Sequence, residues 1–270
     1  MNGIDCLFSP AHQTRRPDMP RILITGTSSG FGQAIATQFL DQGWEVIATM
    51  RHPSPKGLPV SDNLRLLPLD VTDPDSIAAA IAEAGPLDAL VNNAGVGMLN
   101  VLEGADIARA RELFETNVLG TMAMTHAVMP EMRHRRRGVI VNISSSVTLR
   151  PLPALSIYSA SKAAVNAFTE SFALEAAEFG VRTRLVLPGS APETSFGRNA
   201  VARMGMDVPE VYGQFVQAYF QSLQSATEKT QAHDVALAVW RAVTDETAPM
   251  KLPAGADAET WFHEEGISAA

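Results

Sequence analysis

Cysteine is almost absent from this chain: Cys6 is the only one in 270 residues. That excludes an intrachain disulfide framework and any zinc site built on several thiolates. No apolar run approaches the 18 residues that a membrane-spanning helix needs. The first 20 residues carry no apolar stretch of the secretory kind. Positive charge is also scarce. With 21 Lys and Arg against 29 Asp and Glu, the net charge of −8 has the wrong sign for a nucleic-acid or anionic-membrane partner. These absences point to a soluble protein of a reducing compartment, expected to be cytoplasmic. What is present is ordinary globular material, 46% hydrophobic and 19% charged, too apolar for a disordered chain. Residues Arg133, Arg135, Arg136 and Arg137 with His134 form a basic cluster at the predicted C-terminus of a long helix, where cations complement the helix dipole. His126, His233 and His263 lack metal-ligand spacing, so no metal is expected.

Residues 1–20 have no sustained period and contain three prolines, which reads as a flexible tail. From Arg21 onward strands and helices alternate. Strands are predicted at 22–24, 44–48, 64–69, 87–91, 139–143, 182–187 and 251–252. Helices are predicted at 31–40, from Pro74 onward, at 105–133, at 156–178 and at 232–243, with Pro74 suited to a first helical turn. A partly helical insertion covers about 190–228. The strand runs are nearly all apolar, as expected when both faces of a sheet are covered. The pattern predicts an α/β fold: one domain over 21–270, a Rossmann-type doubly wound sheet of about seven parallel strands with helices on both faces.

Where the first strand meets the first helix the chain reads Thr25-Gly26-Thr27-Ser28-Ser29-Gly30-Phe31-Gly32. Glycines let the backbone turn tightly and let a ligand come close, and the N–H groups of a helix N-terminus favour an anionic pyrophosphate. The Lys-Ser/Thr ending of a P-loop is missing. Taken alone, a glycine-rich turn after a strand also suits a structural tight turn, although the strand–turn–helix context favours the anion site. Far downstream, Tyr158 and Lys162 lie four apart on a predicted helix and so share a face. An ammonium near a phenol favours phenolate, which makes Tyr158 a candidate general acid or base for a carbonyl/alcohol pair. Ser145, thirteen residues earlier, ends the fifth strand on the edge where parallel sheets carry their sites. A bare Tyr-x3-Lys pair also occurs by chance on a solvated helix face.

In combination these residues resemble the short-chain dehydrogenase/reductase family, in the subgroup with Thr-Gly-x3-Gly-x-Gly and Tyr-x3-Lys. Further matches follow in order: Asp70-Val71, Asn92-Asn93-Ala94-Gly95, Asn117, Ser144-Ser145, Tyr158-Ser-Ala-Ser-Lys162 and Pro188-Gly189. The resemblance spans about Arg21 to Asp257. It implies that Tyr158 exchanges a proton with the substrate oxygen, and that Lys162 lowers the Tyr158 pKa and holds the nicotinamide ribose. It also implies that Ser145 stabilises the developing charge and that Asn117 holds a water linking Lys162 to solvent. An alternative role for Asn117 is a helix kink that satisfies backbone groups. Gly26, Ser28, Ser29, Gly30, Phe31 and Gly32 would bind the pyrophosphate, and Asp70 and Val71 the adenine. Asn93, Ala94 and Gly95 would line the adenosine side, although Asn92 and Asn93 also suit a strand-tying role. Pro188 and Gly189 would face the nicotinamide carboxamide.

Two departures stand out. Thr194 comes one residue later after Pro188-Gly189 than the family's threonine, so its nicotinamide contact is in question and Ser190 is a substitute. Phe31 replaces a small aliphatic residue. At the end of the second strand the chain offers Ala48-Thr49-Met50-Arg51-His52. The carboxylate that would bond a ribose 2′-OH is missing there. Arg51 suits a 2′-phosphate instead, so NADP(H) is expected over NAD(H). Ser29, where some relatives carry a second basic residue, adds nothing.

Candidate substrate-pocket residues are Val96, Gly97, Met98, Leu99, Val147, Leu149, Leu152 and Leu155, with Phe196, Met204, Met206, Tyr212, Phe215 and Tyr219 from the insertion. Apolar walls around a few polar groups suit a hydrophobic ketone or secondary alcohol (EC 1.1.1.-), with the insertion as a lid. Core packing is the competing role for these residues. The Gly255-Ala256-Asp257-Ala258 ending resembles a branch similar to 17β-hydroxysteroid dehydrogenases. The resemblance also implies a homodimer or homotetramer built through the helices carrying Asn117 and Lys162. Two other functions fit the fold. One is a coenzyme-binding regulator or scaffold without turnover; the other is enoyl reduction or epimerisation.

Overall fold

The computed structural model describes residues 19–192, 194, 208–225 and 227–265. The tail expected at 1–20 lies outside these residues apart from Met19 and Pro20, and the insertion is described in part. Seven strands form one sheet: β1 Arg21–Thr25, β2 Glu45–Met50, β3 Leu64–Pro68, β4 Ala89–Asn92, β5 Gly138–Ile143, β6 Val181–Pro188 and β7 Lys251–Ala254. Their spatial order is β3-β2-β1-β4-β5-β6-β7, and every pairing is parallel. The helices among the described residues are α1 Gly30–Asp41, α2 Pro74–Ala84, α3 Ile107–Phe114, α4 Gly120–Arg135, α5 Ser156–Ala177, α6 Gly213–Ser225, α7 Ala232–Thr244 and α8 Ala256–Glu264.

Continuous apolar strands are divided between two layers by their period of two. Ile22, Ile24, Val46, Ala48, Val139 and Val141 meet Phe39 of α1 and Val239 of α7 on one face. Leu23, Ile47, Leu90 and Ile140 meet Ile77 of α2 and Met124, Val128 and Met132 of α4 on the other. Each fully buried large aliphatic side chain contributes about 1.5–3 kcal/mol, so a shift of register would turn these residues onto the wrong helices.

The long helix predicted at 105–133 is interrupted. A π turn at Glu115–Leu119 separates α3 from α4, and Asn117 sits in it with its side chain turned to the backbone of Val96. Helix α8 is not anticipated by the sequence reading, although Asp257 and Glu259 in its first turn and His263 in its last suit the helix dipole. The basic cluster is tied down on the far edge of the sheet. Arg135 and Arg137 both pair with Asp88, at 3.1 and 2.6 Å, and Arg136 donates to the Glu178 carbonyl.

Because all strands run one way, every β-to-loop exit lies on a single edge. The strand order reverses between β1 and β4, which opens a crevice between the loops that follow them. The glycine turn and Asn93-Ala94-Gly95 are those two loops.

Candidate active site

The glycine turn is fitted closely to its neighbours. Gly26 has φ +73°, and a Cβ there would lie 2.8 Å from the Ala94 Cα. Gly30 also has positive φ, at +60°. A Cβ on Gly32 would come within 2.3 Å of the Gly26 carbonyl oxygen. Asn93 anchors the turn: its Nδ2 donates to the carbonyls of Thr25 and Gly26 at 2.8 and 3.0 Å. Ala94 N donates to Thr25 Oγ1 at 2.9 Å. Asn92 binds Asn142 of β5 at 2.8 Å, so both asparagines tie strands together. Ser29 precedes α1 without capping it, and the first turn of α1 has no acidic residue. The N–H groups there remain available to an anion. These features fit a dinucleotide pyrophosphate. The Gly32→Ala variant, whose methyl meets backbone rather than a movable side chain, is expected to lose about 1–3 kcal/mol of stability together with coenzyme affinity. Thermal unfolding and a coenzyme titration check this; an unchanged titration would separate the turn from the coenzyme.

Arg51 is exposed just beyond β2. Asp70, after β3, accepts from Thr72 N and Oγ1 at 2.9 and 2.7 Å. These bonds, with the Arg51 charge nearby, hold its carboxyl below the usual range. Val71 packs on Gly120 of α4, where a Cβ would lie 2.8 Å from its Cγ2.

The candidate catalytic groups converge at the ends of β4 and β5. Ser145, Tyr158, Lys162 and Asn117 are all buried. Tyr158 shares a hydrogen bond with Ser145. Lys162 Nζ donates to the Ile143 carbonyl at 2.9 Å and lies 5.8 Å from the Tyr158 ring centre. Asn117 Oδ1 accepts from Val96 N at 2.8 Å, and its Nδ2 donates to Val96 O at 2.9 Å. The kink-and-backbone role of Asn117 is therefore present. Gly95 sits between Asn117 and Lys162: a Cβ there would be 3.2 Å from Asn117 Oδ1 and 3.7 Å from Lys162 Nζ.

The electrostatics differ from the sequence expectation that Lys162 lowers the Tyr158 pKa. Burial is the larger influence and pushes the phenol up, opposed by the Ser145 hydrogen bond. Burial also brings the Lys162 ammonium down to about 8.

Around Tyr158 lie Met98 and Leu113, with Val96, Val147 and Leu155 packed against them. Leu149, predicted in the pocket, instead joins Val118, Val165, Leu185 and Leu187 in the core. Phe196, Met204 and Met206 lie outside the described residues. Tyr212 is half-buried and its hydroxyl donates to Glu103 at 3.1 Å; Phe215 is exposed. Thr194 is brought to the glycine turn rather than left remote. Its hydroxyl donates to Ala191 O at 2.8 Å, and a Cβ on Gly30 would lie 3.4 Å from its own Cβ. Sequence reading missed the roles of Thr230 and Asp257, which grip Gly189 and Ser190.

The family described as short chain dehydrogenase matches residues 20–204. The chain belongs to that family. It is 38% identical over 185 residues to bovine (Bos taurus) retinol dehydrogenase 8, covering 64% of this chain and 59% of that one. It is 36% identical over 245 residues to a 3-ketodihydrosphingosine reductase of Bacteroides thetaiotaomicron, covering 87% of each. Among solved structures, a short-chain dehydrogenase from Streptomyces avermitilis superposes with a TM-score of 0.78 at 32% identity, over 92% and 93% of the two chains. A short chain dehydrogenase from Burkholderia cenocepacia in complex with NADP gives 0.74 at 26% identity, over 93% and 94%. The protein is thus an oxidoreductase of this family, with the seven-stranded Rossmann-type fold. Among the described residues no helix is long and apolar enough to cross a membrane.

Proposed function

We propose that this short-chain dehydrogenase interconverts a hydrophobic ketone and its secondary alcohol with NADP(H), using Tyr158 as general acid and base. The observation that carries the reading is the buried convergence of Tyr158, Ser145 and Lys162 beside an apolar wall of Met98, Leu113, Val96 and Leu155. The coenzyme, when bound, supplies or accepts the hydride. Tyr158 holds a proton at its phenol oxygen, and burial keeps that proton in place near neutral pH, which suits donation to a carbonyl oxygen. Ser145, already bonded to that phenol, binds the same substrate oxygen and stabilises charge as it develops. Lys162 offers an ammonium to the ribose and to the phenolate left by proton transfer, and Asn117 relays solvent protons to it. Homo-oligomerisation through α4 and α5 belongs to the same proposal.

NADP(H) preference rests on Arg51, an exposed guanidinium directly after β2 that would offer a fixed charge to a 2′-phosphate. Arg51→Asp is expected to weaken NADPH binding roughly tenfold to a hundredfold, the range of a lost charge-assisted hydrogen bond, while NADH binding changes little. Fluorescence titration with both coenzymes measures this; equal weakening would make Arg51 a bystander. Turnover is tested with NADPH and a panel of apolar ketones. Tight coenzyme binding with no ketone-dependent oxidation would favour the regulator reading instead.

A further inference from the structure

We propose that Asp257 and Thr230 are positioning residues for the nicotinamide half of the coenzyme, acting through the loop that follows β6. This rests on the coenzyme reading above, but on different residues. Asp257 lies in the first turn of α8 and is 5% exposed. Its Oδ2 accepts from Ser190 N at 2.6 Å, and its Oδ1 accepts from Thr230 Oγ1 at 2.7 Å. Thr230 Oγ1 in turn accepts from Gly189 N at 2.9 Å, while Thr230 N donates to Ser190 O at 2.8 Å. The Asp257 carboxylate therefore holds Ser190 N and the Thr230 hydroxyl holds Gly189 N, which also donates to the Ala254 carbonyl of β7 at 3.2 Å, while the Thr230 main-chain N–H holds Ser190 O. The next carbonyl, Ala191 O, is taken by Thr194 through its N and its Oγ1, and Thr194 stands against Gly30 of the pyrophosphate turn.

Two glycines are shaped around this pair. A Cβ on Gly189 would lie 2.1 Å from Asp257 Oδ1, and a Cβ on Gly255, at φ +96°, would lie 2.0 Å from Thr230 Oγ1. A buried carboxylate is costly unless hydrogen-bonded, and here it is bonded to a loop rather than to the sheet or a neighbouring cation. Its location at a helix N-terminus favours the negative charge. The loop it holds is the one between Pro188 and Thr194, which is one residue longer than the family spacing. Pinning Ser190 N is what keeps the longer loop against the site. Neither side chain need touch the coenzyme: their effect is on where the loop's backbone stands.

The test compares the whole coenzyme with its adenine half in the full-length protein. NADPH and adenosine 2′,5′-bisphosphate are titrated against wild type, Asp257→Asn, Thr230→Val and Thr230→Ser. Asp257→Asn and Thr230→Val are expected to raise the NADPH Kd about tenfold to a hundredfold, since each removes a strong hydrogen bond from the clamp. The fragment, which does not reach the loop, should bind as to wild type. Thr230→Ser, which keeps the hydroxyl, should restore NADPH affinity. Should Asp257→Asn fail to fold, the two Thr230 variants carry the same comparison. Equal weakening of NADPH and fragment would assign the pair a general structural role and overturn the proposal, as would unchanged NADPH affinity in a folded variant. A wild-type protein that binds the fragment but not NADPH overturns it too. Wild type binding neither would overturn the coenzyme reading itself, and this proposal with it.

Discussion

Tyr158→Phe is expected to lose ketone reduction by about three orders of magnitude, within the ~10²–10⁴-fold range of general acid catalysis, while binding coenzyme as tightly as wild type. The ring is buried against Met98 and Leu113, and phenylalanine preserves that packing. Only the hydroxyl goes, and with it the proton source and the hydrogen bond to Ser145. Ser145 keeps a second partner, since its Oγ accepts from Val147 N at 3.3 Å. The stability cost should therefore stay near the ~1 kcal/mol of a single neutral hydrogen bond. The glycine turn, where the coenzyme is proposed to bind, lies on other elements and is untouched. Two measurements on one preparation decide it: an NADPH fluorescence titration and ketone-dependent loss of nicotinamide absorbance. Activity retained in the variant would remove Tyr158 from the chemistry and leave the convergence of buried groups without a function. Loss of both binding and activity would point to misfolding, and thermal unfolding separates that case.

Much of this was legible from local pattern. The strands announce themselves as short apolar runs because the sheet is covered on both faces, and the parallel order follows from helices between them. The glycine turn is readable because positive φ and close backbone approach leave few residue choices, as Gly26 and Gly32 show. Boundaries were less so: β1 extends to Arg21 and Thr25 at its ends, and polar residues there gave no signal. The break in the 105–133 helix, a π turn at Glu115–Leu119, was not read from the sequence. Within that turn Asn117 reaches Val96, twenty-one positions away in sequence and beyond the range of local pattern.

Within the site, residue types were legible and their environments were not. That Tyr158 and Lys162 share a helical face follows from spacing. That both are buried, and that burial outweighs their mutual influence, depends on how β4, β5 and α5 pack. The division of the apolar candidates is of the same kind. Leu149 and Val147 are two residues apart, yet one goes to the core and the other to the wall beside Tyr158. Asp257 is the clearest case: nothing in Ala256-Asp257-Ala258 says that its carboxylate meets Ser190, sixty-seven residues earlier.

Lys162 supplies a pH signature that these environments determine. Its ammonium, brought by burial from 10.5 down to about 8, is present at neutral pH and lost above that value. In the proposed mechanism, reduction needs the ammonium beside the phenolate that forms when Tyr158 gives up its proton. The kcat/KM for ketone reduction is therefore expected to be level below about pH 7 and to fall roughly tenfold per pH unit above about 8. Lys162→Arg keeps a charge that does not titrate in this range; activity should drop but the alkaline fall should vanish. Lys162→Met removes the charge altogether, and its kcat/KM should be reduced by about 10²-fold or more at pH 7. Stability moves the opposite way. The folded pKa is lower than that of the unfolded chain, so between about 8 and 10.5 the unfolded state binds more protons and folding strengthens as pH rises. That gain is on the order of 3 kcal/mol at full extent, and it should be missing from Lys162→Met. A wild-type rate that stays level to pH 10, or a stability that does not rise through this window, would mean that the Lys162 ammonium is held by more than the Ile143 carbonyl.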